Sequence, residues 1–325
     1  MKGSYEVIVQ SRRLQYKFVI RRNITIIKGN SATGKTTLLE MIQEYNDNGW
    51  ESGVTIKSAR ECVVLSGRFW HSDLKNISNS IVFIDEGARF TASEEFASAI
   101  KESTNYYVIV TRERLENIPY SVNEIYGIRM SGKYNGLKQV YNELYTYYDK
   151  NINTANANID CILTEDSNSG YQFFKKIAVG KFIDCITAGG KSNIFSWLLQ
   201  HSDENILIIA DGAAFGPEMS RITNFIKHHP NISLYLPESF EWLLLSSKLL
   251  DDGHIIKLLA NPANYVESSK FFSWEQFFTN ELINLTKGTI WQYSKGKLNK
   301  VYLNKTNIEK IMVNVPIAAL TEVEL

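Results

Sequence analysis

Nine residues near the amino end, Gly29 to Thr37, constrain the fold of this chain more than any other segment. They read Gly-Asn-Ser-Ala-Thr-Gly-Lys-Thr-Thr and match the phosphate-binding consensus G-x-x-x-x-G-K-[ST]. An apolar run at 24–27 precedes them, and a helical pattern at 36–45 follows. A strand, a glycine-bearing loop and a helix in this order predict an α/β domain built on a parallel sheet.

The loop predicts a set of nucleotide-binding residues. Its glycines allow the backbone to turn so that successive N–H groups point at phosphate oxygens, and the helix that follows adds its positive dipole end. Lys35 is expected to stabilise the β- and γ-phosphates as a catalytic residue, and the Thr36 hydroxyl to bind Mg²⁺. The predicted nucleotide-binding residues are Gly29, Asn30, Ser31, Ala32, Thr33, Gly34, Lys35, Thr36 and Thr37.

A second pattern, at 81–86, places two acids after four apolar residues, Ile-Val-Phe-Ile-Asp-Glu. Buried parallel strands are continuously apolar, and their carboxyl ends face the ligand crevice. Asp85 is therefore predicted to hold Mg²⁺ through water, and Glu86 to orient the attacking water. Such an acid pair can also be a solvated turn, but the phosphate-binding loop upstream favours the functional interpretation.

A third apolar run, at 107–110, ends at Thr111 and Arg112. A polar side chain at this strand end is placed to contact the γ-phosphate, and Arg112 is our catalytic candidate for that role. Thr111 and Arg89 are the alternatives, and Arg112 can equally be the partner in a surface ion pair. An arginine stabilises a transferring phosphate only where it reaches the site.

The chain is long enough for two packed domains. It has 325 residues, of which 44% are apolar, and an asparagine-rich stretch at 151–158 lacks hydrophobic periodicity. We therefore predict one domain at 1–150 and a second at 151–325. After the linker, strands at 160–164, 182–186, 205–209 and 232–236 alternate with helices. A helix starting with Ser273 as its cap and a β-hairpin around Lys295 are expected to complete the second domain.

Charge and cysteine content limit the partners. The 35 basic and 35 acidic residues balance, so no strong nucleic-acid field is expected. One basic cluster near the amino end is either a solvated strand face or a contact for DNA or RNA phosphates: Arg12, Arg13, Lys17, Arg21, Arg22 and Lys28. The three cysteines have no metal-ligand spacing and predict reduced thiols in the cytoplasm. No apolar run reaches about 18 residues, so no membrane association is expected.

The two halves resemble different known families. The first resembles compact P-loop ATPases of the ABC or OLD pattern. In the second, Glu165 after one strand, the turn Gly-Gly-Lys-Ser-Asn at 189–193 and Asp211 after another strand resemble the Toprim fold of topoisomerases, primases and OLD-family nucleases. The run Pro-Glu-Ser-Phe-Glu-Trp at 237–242 is similar to a helix start in some bacterial Toprim-like defence proteins. The combination resembles bacterial and phage-defence ATPase–Toprim proteins.

The Toprim resemblance implies a second metal site. Toprim enzymes hold Mg²⁺ with a first glutamate and a D-x-D pair, and Glu165 and Asp211 match two of these positions. Ala213 replaces the second aspartate, and Glu218 is the candidate for the missing carboxylate. The resemblance thus implies a Mg²⁺ site at Glu165, Asp211 and Glu218, or a docking module without metal chemistry.

Two functions therefore remain open at the level of sequence. In the first, the chain binds and hydrolyses ATP with Mg²⁺ while its Toprim-like half acts on or senses nucleic acid. In the second, it is a regulatory ATPase whose Toprim-like half is an inert docking domain. ATP is favoured over GTP because no Asn-Lys-x-Asp run is present. DNA or another protein is the expected partner, and homo-oligomerisation is an open option.

Overall fold

The chain forms two compact units. The computed structural model describes residues 1–29, 33–131, 139–250 and 252–321. The first unit contains Met1–Tyr148 and Asn261–Phe272, and the second contains Asp149–Ala260 and the chain after Phe272. Each unit is built around its own sheet.

The described residues of the first unit form a nine-stranded sheet, in the order β4-β1-β2-β9-β8-β3-β7-β6-β5. The strands are β1 Tyr5–Gln10, β2 Leu14–Ile20, β3 Ile24–Ile27, β4 Thr55–Ser58, β5 Cys62–Val64, β6 Ile81–Ile84, β7 Tyr106–Val110, β8 Ile125–Met130 and β9 Val140–Thr146. Strands β8, β3, β7, β6 and β5 run parallel. The other side of the sheet contains the antiparallel pairs β1–β2, β1–β4 and β8–β9.

Every residue of β3, β6 and β7 is buried. This burial on both faces is the reason for their unbroken apolar sequences. Helix α1, Lys35–Asn48, contributes Leu38 and Ile42 to the core beside the sheet. Helices α2, Trp70–Lys75, and α3, Glu94–Lys101, lie in the following connections. The Ser93 side chain begins α3 by accepting a hydrogen bond from the Phe96 N–H.

The described residues of the second unit form a five-stranded sheet, in the order β10-β14-β13-β11-β12. Its strands are β10 Asn151–Ile152, β11 Cys161–Thr164, β12 Asp184–Thr187, β13 Ile206–Ile209 and β14 Ile232–Tyr235. All neighbours are parallel except β10 and β14. The helices are α4 Ser169–Gly180, α5 Lys191–Leu198, α6 Met219–Ile226, α7 Phe240–Ser246, α8 Gly253–Ala260, α9 Trp274–Thr286, α10 Lys305–Met312 and α11 Ala318–Thr321.

The predicted α/β class is confirmed, with a large and mostly parallel sheet. The predicted cap of α9 is also confirmed, because the Ser273 hydroxyl accepts from the Gln276 N–H. The hairpin predicted around Lys295 is wrong. Residues 287–299 form turns and irregular chain, and a 3₁₀ turn at Lys300–Leu303 follows. In the part of the chain that the structure describes, no helix has both the length and the apolar character needed to cross a bilayer.

A buried ion pair lies beside β3 in the first unit. The Arg22 Nε and the Glu124 Oε1 are 3.3 Å apart, and the two side chains are 8% and 4% exposed. The Thr25 hydroxyl donates to the other Glu124 oxygen at 3.4 Å. Removing one partner of a buried pair leaves the other charge poorly compensated, which costs about 3–5 kcal/mol.

We predict that Glu124→Ala lowers the free energy of unfolding by about 3 kcal/mol or more. The control is Glu6→Ala, which breaks the exposed Lys17–Glu6 pair and is expected to cost at most about 1 kcal/mol. Urea unfolding of both variants beside the unaltered chain measures the difference. Equal losses in the two variants would contradict a structural role for the buried pair.

Candidate functional site

The predicted phosphate-binding loop leaves the carboxyl end of β3. Strand β3 is hydrogen-bonded to β7 on one side and β8 on the other, and β7 is bonded to β6. The tips of β3, β7 and β6 therefore lie along one edge of the sheet. With strands about 4.8 Å apart, the tip of β6 is on the order of 10 Å from the tip of β3. This spacing suits a bound phosphate chain between the loop and the acid pair.

Lys35 is held over the loop. Lys35 is only 5% exposed. Its Nζ donates to the Gly29 carbonyl oxygen at 2.9 Å and to the Thr33 hydroxyl at 3.1 Å. Burial lowers the pKa of the Lys35 ammonium, the Glu86 carboxylate opposes this change, and Arg112 adds to it. The structure thus brings the predicted lysine within electrostatic range of both other predicted catalytic residues.

Glu86 and Arg112 form an ion pair at this edge. The Arg112 Nε lies 2.6 Å from the Glu86 Oε1, with the side chains 53% and 35% exposed. An exposed pair of this kind contributes about 0–1 kcal/mol. The pair is therefore weak enough for either side chain to exchange its partner for a charged ligand. Thr111 is less accessible, because it is only 5% exposed, and its hydroxyl accepts from the Glu113 N–H at 3.0 Å.

The two predicted magnesium ligands of the first unit present oxygen atoms. Asp85 is half-buried at the tip of β6, and its Oδ1 accepts from the Glu86 N–H at 2.8 Å. Thr36 is exposed in the first turn of α1, beside the half-buried Thr37. Carboxylate and hydroxyl oxygens are the hard donors that Mg²⁺ prefers. These residues therefore fit the ion by the chemistry of their donor atoms.

The described part of the loop has the backbone expected of its glycines. Gly29 has a φ of 133° and Gly34 a φ of 88°, both in the region that favours glycine. Gly34 is also the residue before α1. Three predicted binding residues between Gly29 and Thr33, namely Asn30, Ser31 and Ala32, lie outside the described residues.

Tyr16 is a residue of this site that the sequence did not reveal. Its hydroxyl donates to the Gly34 carbonyl oxygen at 2.9 Å, and a Cβ atom on Gly34 would lie 2.7 Å from the same hydroxyl oxygen. Tyr16 is buried on β2, 18 positions before the glycine it contacts. Only the pairing of β2 within the sheet brings the two together, so no local pattern reports the contact.

The second unit has a cavity at the carboxyl ends of β11 and β13. Glu165 follows β11 and Asp211 lies just after β13, and both line this cavity. The Asp211 Oδ1 accepts from the Phe240 N–H at the start of α7 at 3.1 Å. The structure thus brings together two of the three residues predicted for the second metal site.

Glu218 does not join them. It is 1% exposed, and its Oε2 accepts from the Arg221 Nε at 2.8 Å and from the Arg221 guanidinium again at 2.5 Å. It is not among the residues that line the cavity. Ala213, at the position of the family's second aspartate, is buried. Glu218 therefore caps Arg221 instead of supplying a third carboxylate.

Other side chains complete the cavity. Glu241, from the first turn of α7, is 1% exposed, and its Oε1 accepts from the Tyr293 hydroxyl at 2.7 Å. Lys295 lines the same cavity and pairs with Glu275 of α9. The sequence offered Glu241 only as part of a helix start, and Tyr293 and Lys295 only as a hairpin. Their role depends on the return of the chain after α9, which is nonlocal.

The cavity raises the pKa of its acids. The pKa of Glu165 is raised to about 7, and burial is the main cause. The charges of Glu275 and Asp166 raise it further, and those of Lys191 and Lys295 oppose the increase. Burial also raises the pKa of Asp211 well above its ordinary value, with added repulsion from Glu275, Glu241 and Glu165. Any cation that binds here must displace these protons, because it needs the charge of the carboxylates.

No family model matches the chain, and neither the curated proteins nor the solved structures include one with significant similarity to it. The assignment of both sites therefore depends on their residues and geometry.

We predict a pH-dependent stability effect from Glu165. Its folded pKa of about 7 exceeds the ordinary 4.5, so between these pH values the folded chain retains a proton that the unfolded chain loses. The group's contribution to the free energy of unfolding therefore falls as pH rises through this window. At about 1.4 kcal/mol per pKa unit, the full effect over this window is on the order of 3.5 kcal/mol.

Glu165→Gln removes this proton exchange. The free energy of unfolding of the variant, minus that of the unaltered chain, should therefore rise by on the order of 2 kcal/mol when the pH is raised from 5 to 7.5. Urea unfolding at both pH values measures the change. The matched control is Glu309→Gln on the exposed side of α10. A difference between Glu165→Gln and the unaltered chain that stays constant with pH would refute the buried-carboxyl account.

Proposed function

We propose that the chain binds ATP with Mg²⁺ and hydrolyses it. The observation that carries the proposal is the position of Lys35, held over a glycine-bearing loop within electrostatic range of Glu86 and Arg112. A cation above a phosphate-binding backbone, next to a carboxylate at a neighbouring strand end, is the arrangement that phosphoryl transfer needs.

Each residue has a stated role in this proposal. Lys35 would move from the Gly29 and Thr33 oxygens to the phosphates, where a full negative charge replaces two neutral acceptors. Thr36 and Asp85 would hold Mg²⁺, which neutralises phosphate charge when bound. The bound phosphates would have the backbone N–H groups of the loop and the start of α1 as further donors.

Arg112 and Glu86 would act in sequence. Their exposed ion pair is weak, so a γ-phosphate can draw Arg112 away from Glu86. The released carboxylate can then orient a water molecule for attack and accept its proton. In this account the ion pair keeps Glu86 occupied until a triphosphate is present.

We predict different losses for the two ATP-site variants. Lys35→Ala should weaken ATP binding at least tenfold and remove measurable hydrolysis, because phosphate charge loses its cation. Glu86→Gln should still bind ATP, while turnover falls by about 10²–10⁴-fold. Calorimetry and phosphate release measure the two quantities.

Lys101→Ala, in the last turn of α3 and exposed, is the control and should match the unaltered chain. The proposal fails if the unaltered chain binds no purine triphosphate. It also fails if Lys35→Ala binds and hydrolyses ATP as the control does.

The geometry of the second unit favours the regulatory version of this function over a nuclease. Glu218 is occupied by Arg221, and Lys295 already lies at the acidic cavity with Glu275. We infer an ATP-controlled protein whose second unit binds a partner without cleaving nucleic acid.

This inference predicts no metal-dependent cleavage. The purified chain, incubated with ATP, Mg²⁺ or Mn²⁺ and single- or double-stranded DNA or RNA, should leave the nucleic acid intact. Glu165→Ala and Asp211→Ala serve as controls for contaminating nuclease. Cleavage by the unaltered chain that disappears in both variants would establish the nucleic-acid enzyme instead.

A further inference from the structure

The acidic cavity of the second unit is small. Its volume is about 40 Å³, which is enough for at least one water molecule. The space therefore suits a water molecule or a small head group attached to a longer stem.

The cavity has more carboxyl groups than cations. Glu165, Asp211 and Glu241 line it, and within the described residues none of the three forms an ion pair. Of the two nearby ammonium groups, Lys295 pairs with Glu275, and Lys191 donates to the Ala214 carbonyl oxygen. A cationic ligand that displaces the protons of Glu165 and Asp211 would balance the charge of these carboxyl groups.

Glu241 provides an independent indication of a ligand. Its residue is 1% exposed, and its Oε1 accepts from the Tyr293 hydroxyl. Its Oε2 is buried and has no hydrogen-bond partner among the described residues. A buried acceptor without a donor costs about 1–3 kcal/mol, more when charged. Glu241 lines the cavity, so a turn of its carboxyl group would present this oxygen to a bound donor.

We propose that this cavity binds a primary ammonium group carried on a short alkyl stem. An ammonium has three N–H donors and no acceptor, and Glu165, Asp211 and Glu241 all line the cavity that would hold it. The chain already places the Lys295 ammonium at the same cavity, so this group is compatible with its surroundings. Phe174 and Phe240 supply aromatic wall for the methylene groups and for a cation–π contact.

A divalent metal ion fits less well. Mg²⁺ requires near-octahedral oxygen ligands at about 2.1 Å. Within the described ranges, no group of three or more acidic, histidine or cysteine side chains has the spacing of a metal site. The inference is independent of ATP binding by the first unit, and either can fail alone.

Isothermal titration calorimetry on the full chain tests the proposal at constant ionic strength. The probes are n-butylammonium, 1,4-diaminobutane, tetramethylammonium and MgCl₂. The two primary amines should bind at one site per chain, and tetramethylammonium, which lacks N–H donors, at least tenfold more weakly. Equal binding of tetramethylammonium, or Mg²⁺ that displaces the amine, would overturn the proposal.

Variants place the binding in this cavity. Glu241→Gln keeps the shape of the side chain and the acceptor for the Tyr293 hydroxyl. It replaces the unpartnered oxygen with an NH₂ group, which donates and does not accept, so amine affinity should fall at least tenfold. Asp211→Asn gives a second test that retains an acceptor for the Phe240 N–H. Glu309→Gln is the exposed control. Full amine affinity in a folded Glu241→Gln or Asp211→Asn protein would refute the site.

One further probe separates the two sources of such an ammonium group. N-acetyl-lysine methylamide presents it as a protein side chain does, and n-butylammonium presents it as a free amine. Tighter binding of the lysine derivative supports a protein partner that inserts a lysine. Tighter binding of butylammonium or the diamine supports a small free amine. Failure of all three probes to bind overturns the proposal.

Discussion

The hydrogen-bonded pairing of β3 with β7, and of β7 with β6, is the constraint on which the first unit depends. The three strands are parallel, and all of their residues are buried. Their carboxyl ends must therefore meet at one edge, and the side chains that follow them become neighbours. Lys35, Glu86 and Arg112 are far apart in sequence, and this pairing alone brings them within electrostatic range.

The parts of the fold that sequence predicts are those with a strong local signal. The apolar runs at 81–84 and 107–110 are short, continuous and bounded by polar residues, which is typical of buried strands. The glycine-bearing loop between a strand and a helix is an equally local pattern. Even Ser273, a single capping residue, was correct because the bond it accepts lies three positions away. The α/β class and the order of the main elements therefore follow from the sequence alone.

Nonlocal features were not accessible. The pairing of Tyr16 with Gly34 depends on how β2 enters the sheet, and the cavity residues Tyr293 and Lys295 depend on the path of the chain after α9. Lysine, glycine and tyrosine near 295 suggested a turn between strands, but packing against α4 replaced the strands: Ser169 donates its hydroxyl to the Ser294 and Lys295 carbonyl oxygens. Glu218 shows the same limit: its carboxylate pairs with Arg221, one helical turn away, and does not reach the cavity of Glu165 and Asp211.

The hydrogen bond from Tyr16 to Gly34 joins the predicted phosphate-binding loop to β2, which β9 and β8 separate from β3 in the sheet. Strand β2 is bonded to β1 on one side and to β9 on the other. Any rearrangement of the Gly34 peptide group must break this bond or move Tyr16 with it. The amino-terminal hairpin of β1 and β2 is thus joined to the loop by a direct hydrogen bond, across the sheet and without passage through α1.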